Sequence, residues 1–341
     1  MIFVTGGTGL VGAHLLFELT SAGKKVTALK RKTSNLQQVL KIFSYYSENA
    51  QTLFNQIEWV EGDILEYFSL EKLLRGATEI YHCAAIISFQ KKERSKMISN
   101  NVDGTANLIN AAIGNGVTKI CHVSSIAALG RLENGEPITE DTNWIPVKKI
   151  SGYSESKFFS EAEIWRGIEE GLDAVIVNPS IILGPGNWET GSAKMFKTIW
   201  NGMKFYTKGV TGFVDVKDVA RAMIQLMDNS NFKTCKNQRY ILNAENLSYQ
   251  SVFSQIAREL DKPKPTIFAS NFLLNIVWRA ATFASWITRK PSMITRETAA
   301  SSNQINNFDG SKITRTINFK YLTISESIKQ TTSFLKSDMQ E

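Results

Sequence analysis

Val4-Thr5-Gly6-Gly7-Thr8-Gly9-Leu10-Val11-Gly12 is the stretch on which the reading of this chain turns. Ile2-Phe3-Val4 before it is a short apolar run that predicts a buried strand, and Ala13-His14-Leu15-Leu16-Phe17-Glu18-Leu19 after it has the apolar spacing of a helix. A strand, a glycine-rich turn and a helix in succession suit a dinucleotide. Glycine lets the backbone turn sharply and approach a pyrophosphate, and the helix N-terminus offers unpaired N–H groups and the positive end of its dipole. Tight turns need glycine for other reasons, so position carries the argument: the glycines close a strand and open a helix. Gly6, Thr8, Gly9, Leu10, Val11 and Gly12 are therefore candidate cofactor contacts.

Further strands are predicted at 26–29, 57–60, 79–84, 119–124 and 174–177, with helical patterns around Ser69–Leu74, Asn101–Ile113 and Ser154–Glu169. Strands alternating with helices specify an α/β fold, here a Rossmann-type doubly wound parallel sheet, whose ligands bind beyond the strand C-termini. Beyond residue 180 the alternation weakens. We expect a dinucleotide-binding domain over 1–180, to which 213–243 returns, and a small, mainly helical substrate-binding lobe from 181–212 and 244–335.

The 341 residues, 43% of them hydrophobic, suffice for a large core, and the net charge of +7 is spread without any run of five Lys or Arg, which argues against nucleic-acid binding. Cys83, Cys121 and Cys235 lie far apart with no CxxC pairing, which suggests reduced thiols and a cytoplasmic setting. His14, His82 and His122 lack metal-ligand spacing, so no metal is expected. The first strand starts so early that no leader is expected ahead of it. Residues 267–287 are strongly apolar but contain Asn271, Asn275 and Arg279, and Arg289 and Lys290 follow. A spanning helix is not expected. Packing against its own lobe is the favoured reading, and peripheral contact with a membrane is the alternative.

Tyr153-Ser154-Glu155-Ser156-Lys157 puts a tyrosine and a lysine at i and i+4, on one face of a helix. A nearby ammonium and the positive ring of an oxidised nicotinamide are expected to lower the phenol pKa, so that the tyrosine can exchange a proton with a substrate oxygen. Val123-Ser124-Ser125-Ile126 ends the fifth strand, where a serine hydroxyl can donate to the same oxygen.

Taken together these stretches resemble the extended short-chain dehydrogenase/reductase family, part of the NAD-dependent epimerase/dehydratase superfamily, over about residues 1–335. The glycine turn resembles its cofactor motif, Gly62-Asp63-Ile64 the adenine-contacting segment, and His82-Cys83-Ala84-Ala85 the strand-four motif. Asn101-Val102-Asp103-Gly104-Thr105 resembles the helix that supports the active site, Asn178-Pro179-Ser180 with Gly184-Pro185 the loop around the nicotinamide, and Phe213–Ala220 a late motif. The resemblance implies a catalytic set of Ser125, Tyr153 and Lys157 with Asn101 in support. Ser125 is preferred to Ser124 for its spacing to Gly130. It also implies cofactor contacts at Asp63, Ile64, Ala84, Ala85, Ser124, Tyr153, Lys157, Pro179, Ser180, Ile181 and Ile182. Leu29–Leu36, Lys290–Glu297 and Phe308–Lys312 are similar to the dihydroflavonol 4-reductase-like branch, which neighbours 3β-hydroxysteroid dehydrogenases. Homodimers are common in the family.

At the end of strand two, Lys30, Arg31, Lys32 and Ser34 stand where an acidic residue would hold the ribose 2′-hydroxyl of NAD. A guanidinium suits a 2′-phosphate, so NADP(H) is expected over NAD(H). Ile86–Phe89, Leu129, Ile181, Ile182, Phe196, Trp200 and Phe205 suggest an apolar pocket. The expected activity is NADP(H)-dependent reduction of a carbonyl, or oxidation of the corresponding secondary alcohol, on a small apolar substrate. A nucleotide-sugar epimerase or dehydratase with retained NAD(P) is the alternative.

Overall fold

The computed structural model describes residues 1–130, 132, 135–144, 150–288, 299 and 301–340. The first half of the chain alternates strand and helix: β1 (Ile2–Thr5), α1 (Leu10–Ser21), β2 (Val26–Lys30), α2 (Leu36–Ser44), α3 (Ala50–Asn55), β3 (Ile57–Glu61), α4 (Tyr67–Leu73), β4 (Glu79–His82), α5 (Arg94–Gly114), β5 (Lys119–Val123), α6 (Gly152–Glu169) and β6 (Asp173–Pro179). There follow β7 (Ile181–Leu183), α7 (Ala193–Trp200), β8 (Phe205–Tyr206), β9 (Val210–Asp215), α8 (Val216–Met227), α9 (Asn229–Cys235), β10 (Gln238–Leu242), β11 (Glu245–Ser248) and α10 (Tyr249–Glu259). Last come β12 (Ile267–Phe268), α11 (Asn271–Thr288), α12 (Ser311–Ile317) and α13 (Ile324–Gln340).

Seven strands form one sheet in the order β10-β6-β5-β4-β1-β2-β3. Every pairing in it is parallel, so all the strand C-termini share one edge. The order reverses between β1 and β4, the place where a doubly wound sheet opens a crevice. Successive strand residues point to opposite faces. Phe3, Leu29, Ile80, Ile120 and Ile176 join one core with α4, α5 and α6. Val4, Ala28, Tyr81, Cys121 and Val177 join another with α1, α2 and α8. Both faces are thus buried, as the near-continuous apolar runs of the strands require.

A smaller lobe packs Leu183 of β7 and Phe213 of β9 against Phe196 and Ile199 of α7, Val252 and Ile256 of α10, and Ile324, Ile328 and Leu335 of α13. Its sheet has the order β11-β9-β7. Within 213–243, β10 joins the large sheet and α8 packs on it, whereas β9 pairs inside the smaller sheet. Asp215 caps α8 through the Lys217 N–H at 2.7 Å and accepts from the Ser327 hydroxyl at 2.6 Å, tying α13 to the junction. That contact gives the Phe213–Ala220 segment a structural reason.

The β1–α1 turn is built by close approach. Gly6 has φ +70°, and a Cβ there would lie 2.5 Å from the Ala84 nitrogen at the end of β4. A Cβ on Gly12 would lie 2.2 Å from the Gly6 carbonyl oxygen, so α1 can start this near β1 only without a side chain. Gly12→Ala should therefore destabilise the protein by about 1–3 kcal/mol in urea denaturation. Gly114→Ala, whose nearest neighbour would be the Tyr67 hydroxyl at 4.0 Å, should be near neutral.

Candidate active site

The candidate residues lie just past the C-terminal ends of the parallel strands. Gly6–Gly12 follow β1, Arg31–Ser34 follow β2, and Asp63 and Ile64 follow β3. Ala84 and Ala85 follow β4, Ser124 and Ser125 follow β5, and Pro179–Ile182 end β6 and enter β7. The parallel pairing brings them to one edge. Gly9 stands at the N-cap of α1 and offers no side-chain cap, so the first N–H groups of the helix are left for a ligand. The bare turn and the open helix end fit the pyrophosphate of a dinucleotide.

At the end of β2, Lys30 pairs with Glu61 at 3.5 Å. The Arg31 N–H donates to the Ser34 hydroxyl at 3.0 Å, which bends the chain into a tight turn, and Asn35 caps α2. Arg31 and Lys32 are exposed, and among the described residues no carboxylate forms an ion pair with either. Asp63 accepts from the Leu65 N–H at 3.0 Å, and Ile64 is buried against Gly104.

Tyr153 and Lys157 stand one turn apart on α6, whose N-terminus is capped by the Ser151 side chain. The Lys157 ammonium is buried and donates to the Val123 carbonyl at 2.9 Å. Burial lowers its pKa to about 8, against the opposing pull of Cys83 and Glu161. The Ser125 hydroxyl hydrogen-bonds the Tyr153 side chain, and the Phe89 ring meets the phenol edge-on with centroids 5.6 Å apart. The expected lowering of the tyrosine pKa counts on an oxidised nicotinamide beside the phenol; in the protein alone the direction is upward. Desolvation by burial outweighs the hydrogen bond from Ser125 and raises the pKa. Tyr153 is thus held as a proton donor. Asn101 donates to the Ile86 carbonyl at 2.9 Å and to the Ser156 hydroxyl at 3.1 Å, and accepts from the Ile86 N–H at 2.7 Å. It clamps the segment after β4 to α5 and α6.

Ser124, an expected cofactor contact, donates its hydroxyl to Glu161 at 2.6 Å. Glu161 is a buried carboxylate that sequence reading missed. It also accepts from Asn178 at 2.8 Å, Arg239 at 3.2 Å and Trp165 at 3.3 Å. Its signal was the continuing i+4 spacing, Tyr153, Lys157, Glu161. Asn178 completes the set by donating to the Ser125 carbonyl at 3.1 Å. Three expected pocket walls lie elsewhere: Phe196 is in the core of the smaller lobe, Leu129 packs with Ile138, Ile241 and Phe308, and Phe205 is exposed on β8. Lys290–Glu297 lies outside the described residues.

The histidines are structural. The Thr105 hydroxyl donates to the Asn101 carbonyl at 2.6 Å, so His82 Nε2–H donates to Thr105 at 3.0 Å, and His82 Nδ1 accepts from the Thr5 hydroxyl at 2.7 Å. Burial pushes the His82 pKa down to about 3 and that of His14 down to about 4. His122, buried 5.0 Å from the His82 ring, is also driven well below the ordinary range. Cys83 is pushed up to about 12 by burial, which leaves it inert. Among the described residues no cluster of side chains could hold a metal ion.

The sequence model of the NAD dependent epimerase/dehydratase family matches residues 2–240. A Synechocystis protein provisionally named a dihydroflavonol 4-reductase is 30% identical over 333 residues, spanning 96% of this chain and 92% of that protein. Sterol demethylase protein B of Methylococcus capsulatus is 27% identical over 270 residues, 77% of this chain and 76% of that one. The structure of a UDP-glucose 4-epimerase from Thermotoga maritima with UDP-glucose superposes with a TM-score of 0.77 at 18% identity, covering 99% of both chains, which is a likeness of fold.

The buried histidines set a pH dependence. Unfolded imidazoles take up protons below about pH 6.5, whereas the folded ones refuse them, so stability should fall as the pH drops. Burial raises the carboxyl pKa of Glu18, Glu140 and Asp218, which works in the opposite direction. With three histidines against them, a net loss of about 2–5 kcal/mol between about pH 7 and about pH 5 is expected in urea denaturation.

Proposed function

The chain belongs to the NAD dependent epimerase/dehydratase family and is an NAD(P)-dependent oxidoreductase of its dihydroflavonol 4-reductase-like branch, and from that premise we propose that it is an NADP(H)-dependent reductase of small apolar ketones or aldehydes. The observation that carries the reading is the pairing of a protonated Tyr153, touched by Ser125 and Phe89, with a buried Lys157 one turn away. NADPH, when bound, supplies the hydride. Tyr153 gives its phenolic proton to the substrate oxygen, and the Ser125 hydroxyl orients that oxygen and then steadies the phenolate. Lys157, fixed by the Val123 carbonyl, would hold the ribose hydroxyls of a bound cofactor and favours the phenolate as the proton leaves. Asn101 keeps the segment at Ile86 in register with α6 through Ser156. Residues 1–180 would hold the cofactor, with 181–212 and 244–335 closing on the substrate.

Preference for NADP rests on Arg31 and Lys32, exposed at the end of β2, with Ser34 beside them. A guanidinium can form charge-assisted bonds to a 2′-phosphate. The sterol-processing relative and the Phe89 ring beside Tyr153 support an apolar substrate.

Tyr153→Phe should lower turnover of an apolar ketone by about 10²–10⁴-fold while leaving NADPH binding close to wild type; unchanged turnover would remove the tyrosine from the mechanism. Arg31→Asp should weaken NADPH relative to NADH by at least about tenfold, read by fluorescence titration of both nucleotides. An unchanged ratio, or NAD that stays bound through purification, would favour a nucleotide-sugar epimerase instead.

A further inference from the structure

One surface of the smaller lobe is built unlike the rest. β12 pairs with β8, Ile267 opposite Phe205 and Phe268 opposite Tyr206, and α11 begins three residues after Phe268. Leu274 of α11 is buried against Ala269 and Ala299, with Leu273 and Trp278 beside it. The opposite side of the same helix turns outward: Phe272 is 77% exposed and Ile276 50%. Phe205, Ile267 and Phe268 are each at least 40% exposed next to them. Five large apolar side chains therefore stand in water on this strand pair and the first turns of α11, where single exposed residues would be ordinary.

The stretches that form this edge carry no acidic residue. Neither 190–214 nor 262–296 contains an Asp or Glu. Lys204, Lys208, Lys264 and Arg279 are exposed there. The Lys208 ammonium sits 4.8 Å over the Phe268 ring, and the Arg279 guanidinium lies 4.7 Å over Trp278 while donating to the Asn275 carbonyl at 2.6 Å. A groove lined by Ser251, Gln255, Arg258, Lys262 and Lys264 borders the same rim.

We propose that β8, β12 and the first turns of α11 dock the protein on an anionic lipid bilayer. Aromatic and aliphatic tips would enter the headgroup–acyl boundary while lysine and arginine meet lipid phosphates. A second copy of this chain is the poorer occupant, because a two-fold contact through this surface would set its cations against the same cations. Among the described residues no helix is long and apolar enough to cross a membrane, so the contact is with the surface.

The test is flotation of the full chain with phosphatidylcholine vesicles, with and without phosphatidylserine. Binding to the phosphatidylserine vesicles, weakened by salt, is expected, and much less to phosphatidylcholine alone. The paired change Phe272→Ser and Ile276→Ser should reduce binding by at least about tenfold, and Lys204→Glu with Lys208→Glu should do so independently. Both variants should keep the wild-type melting temperature and NADPH affinity, since none of these side chains belongs to the core or the active site. No flotation with phosphatidylserine, or flotation that survives both paired changes, overturns the proposal. A concentration-dependent dimer without lipid, lost in the Phe272/Ile276 variant, overturns it in favour of self-association.

Discussion

Glu161 is a carboxylate taken out of water beneath the C-terminal edge of the sheet, and the geometry of the candidate site depends on how that charge is satisfied. An unpaired buried carboxylate would be prohibitive, and removing one partner of a buried pair typically costs about 3–5 kcal/mol. Glu161 lies two turns beyond Tyr153 on α6, and its partners come from the end of β5 through Ser124, from β6 through Asn178 and from β10 through Arg239. One charge therefore fixes the helix carrying Tyr153 and Lys157 to three adjacent strands. Because Asn178 also holds the Ser125 carbonyl, the serine and tyrosine are positioned by the same network.

The opposite side of the crevice is governed by steric exclusion. Gly6 and Gly12 let β1, α1 and the end of β4 approach to distances at which a Cβ would collide with backbone. His82 adds polar bonding at the same level, linking Thr5 of β1 to Thr105 of α5. The two halves of the crevice thus use different physics: backbone proximity at the glycine turn, and a buried polar network behind Tyr153 and Lys157. Deep burial keeps His82 neutral, so the ring serves as a fixed donor and acceptor.

What could be read from the sequence was what local geometry determines. The strand runs, the glycine turn, the Tyr153–Lys157 spacing and the basic segment at Arg31 are each contained in one element or one turn, and the α/β architecture follows from their alternation. What escaped was set by partners distant in sequence. Ser124 and Ser125 are neighbours of the same type at the same strand end, and only the position of α6 turns one toward Glu161 and the other toward Tyr153. Phe196 and Phe205 are both aromatics of the smaller lobe, yet one faces its core and the other faces water. The upward shift of Tyr153 in the protein alone was not legible, because a neighbouring charge is visible in sequence while desolvation exists only once the chain is folded.

The same distinction applies to 267–287, where apolar content alone left packing and membrane contact as competing expectations. The structure divides the segment by face: Leu273, Leu274 and Trp278 pack inward, whereas Phe272 and Ile276 point to solvent. A helix that only covered its own lobe would have little use for apolar side chains on both sides. The outward pair becomes meaningful through its company: Phe205, Ile267 and Phe268 arrive from a separate strand pair, and the flanking stretches are free of acidic residues. No single window of sequence holds that surface, because the β8–β12 ladder assembles it from segments about sixty residues apart.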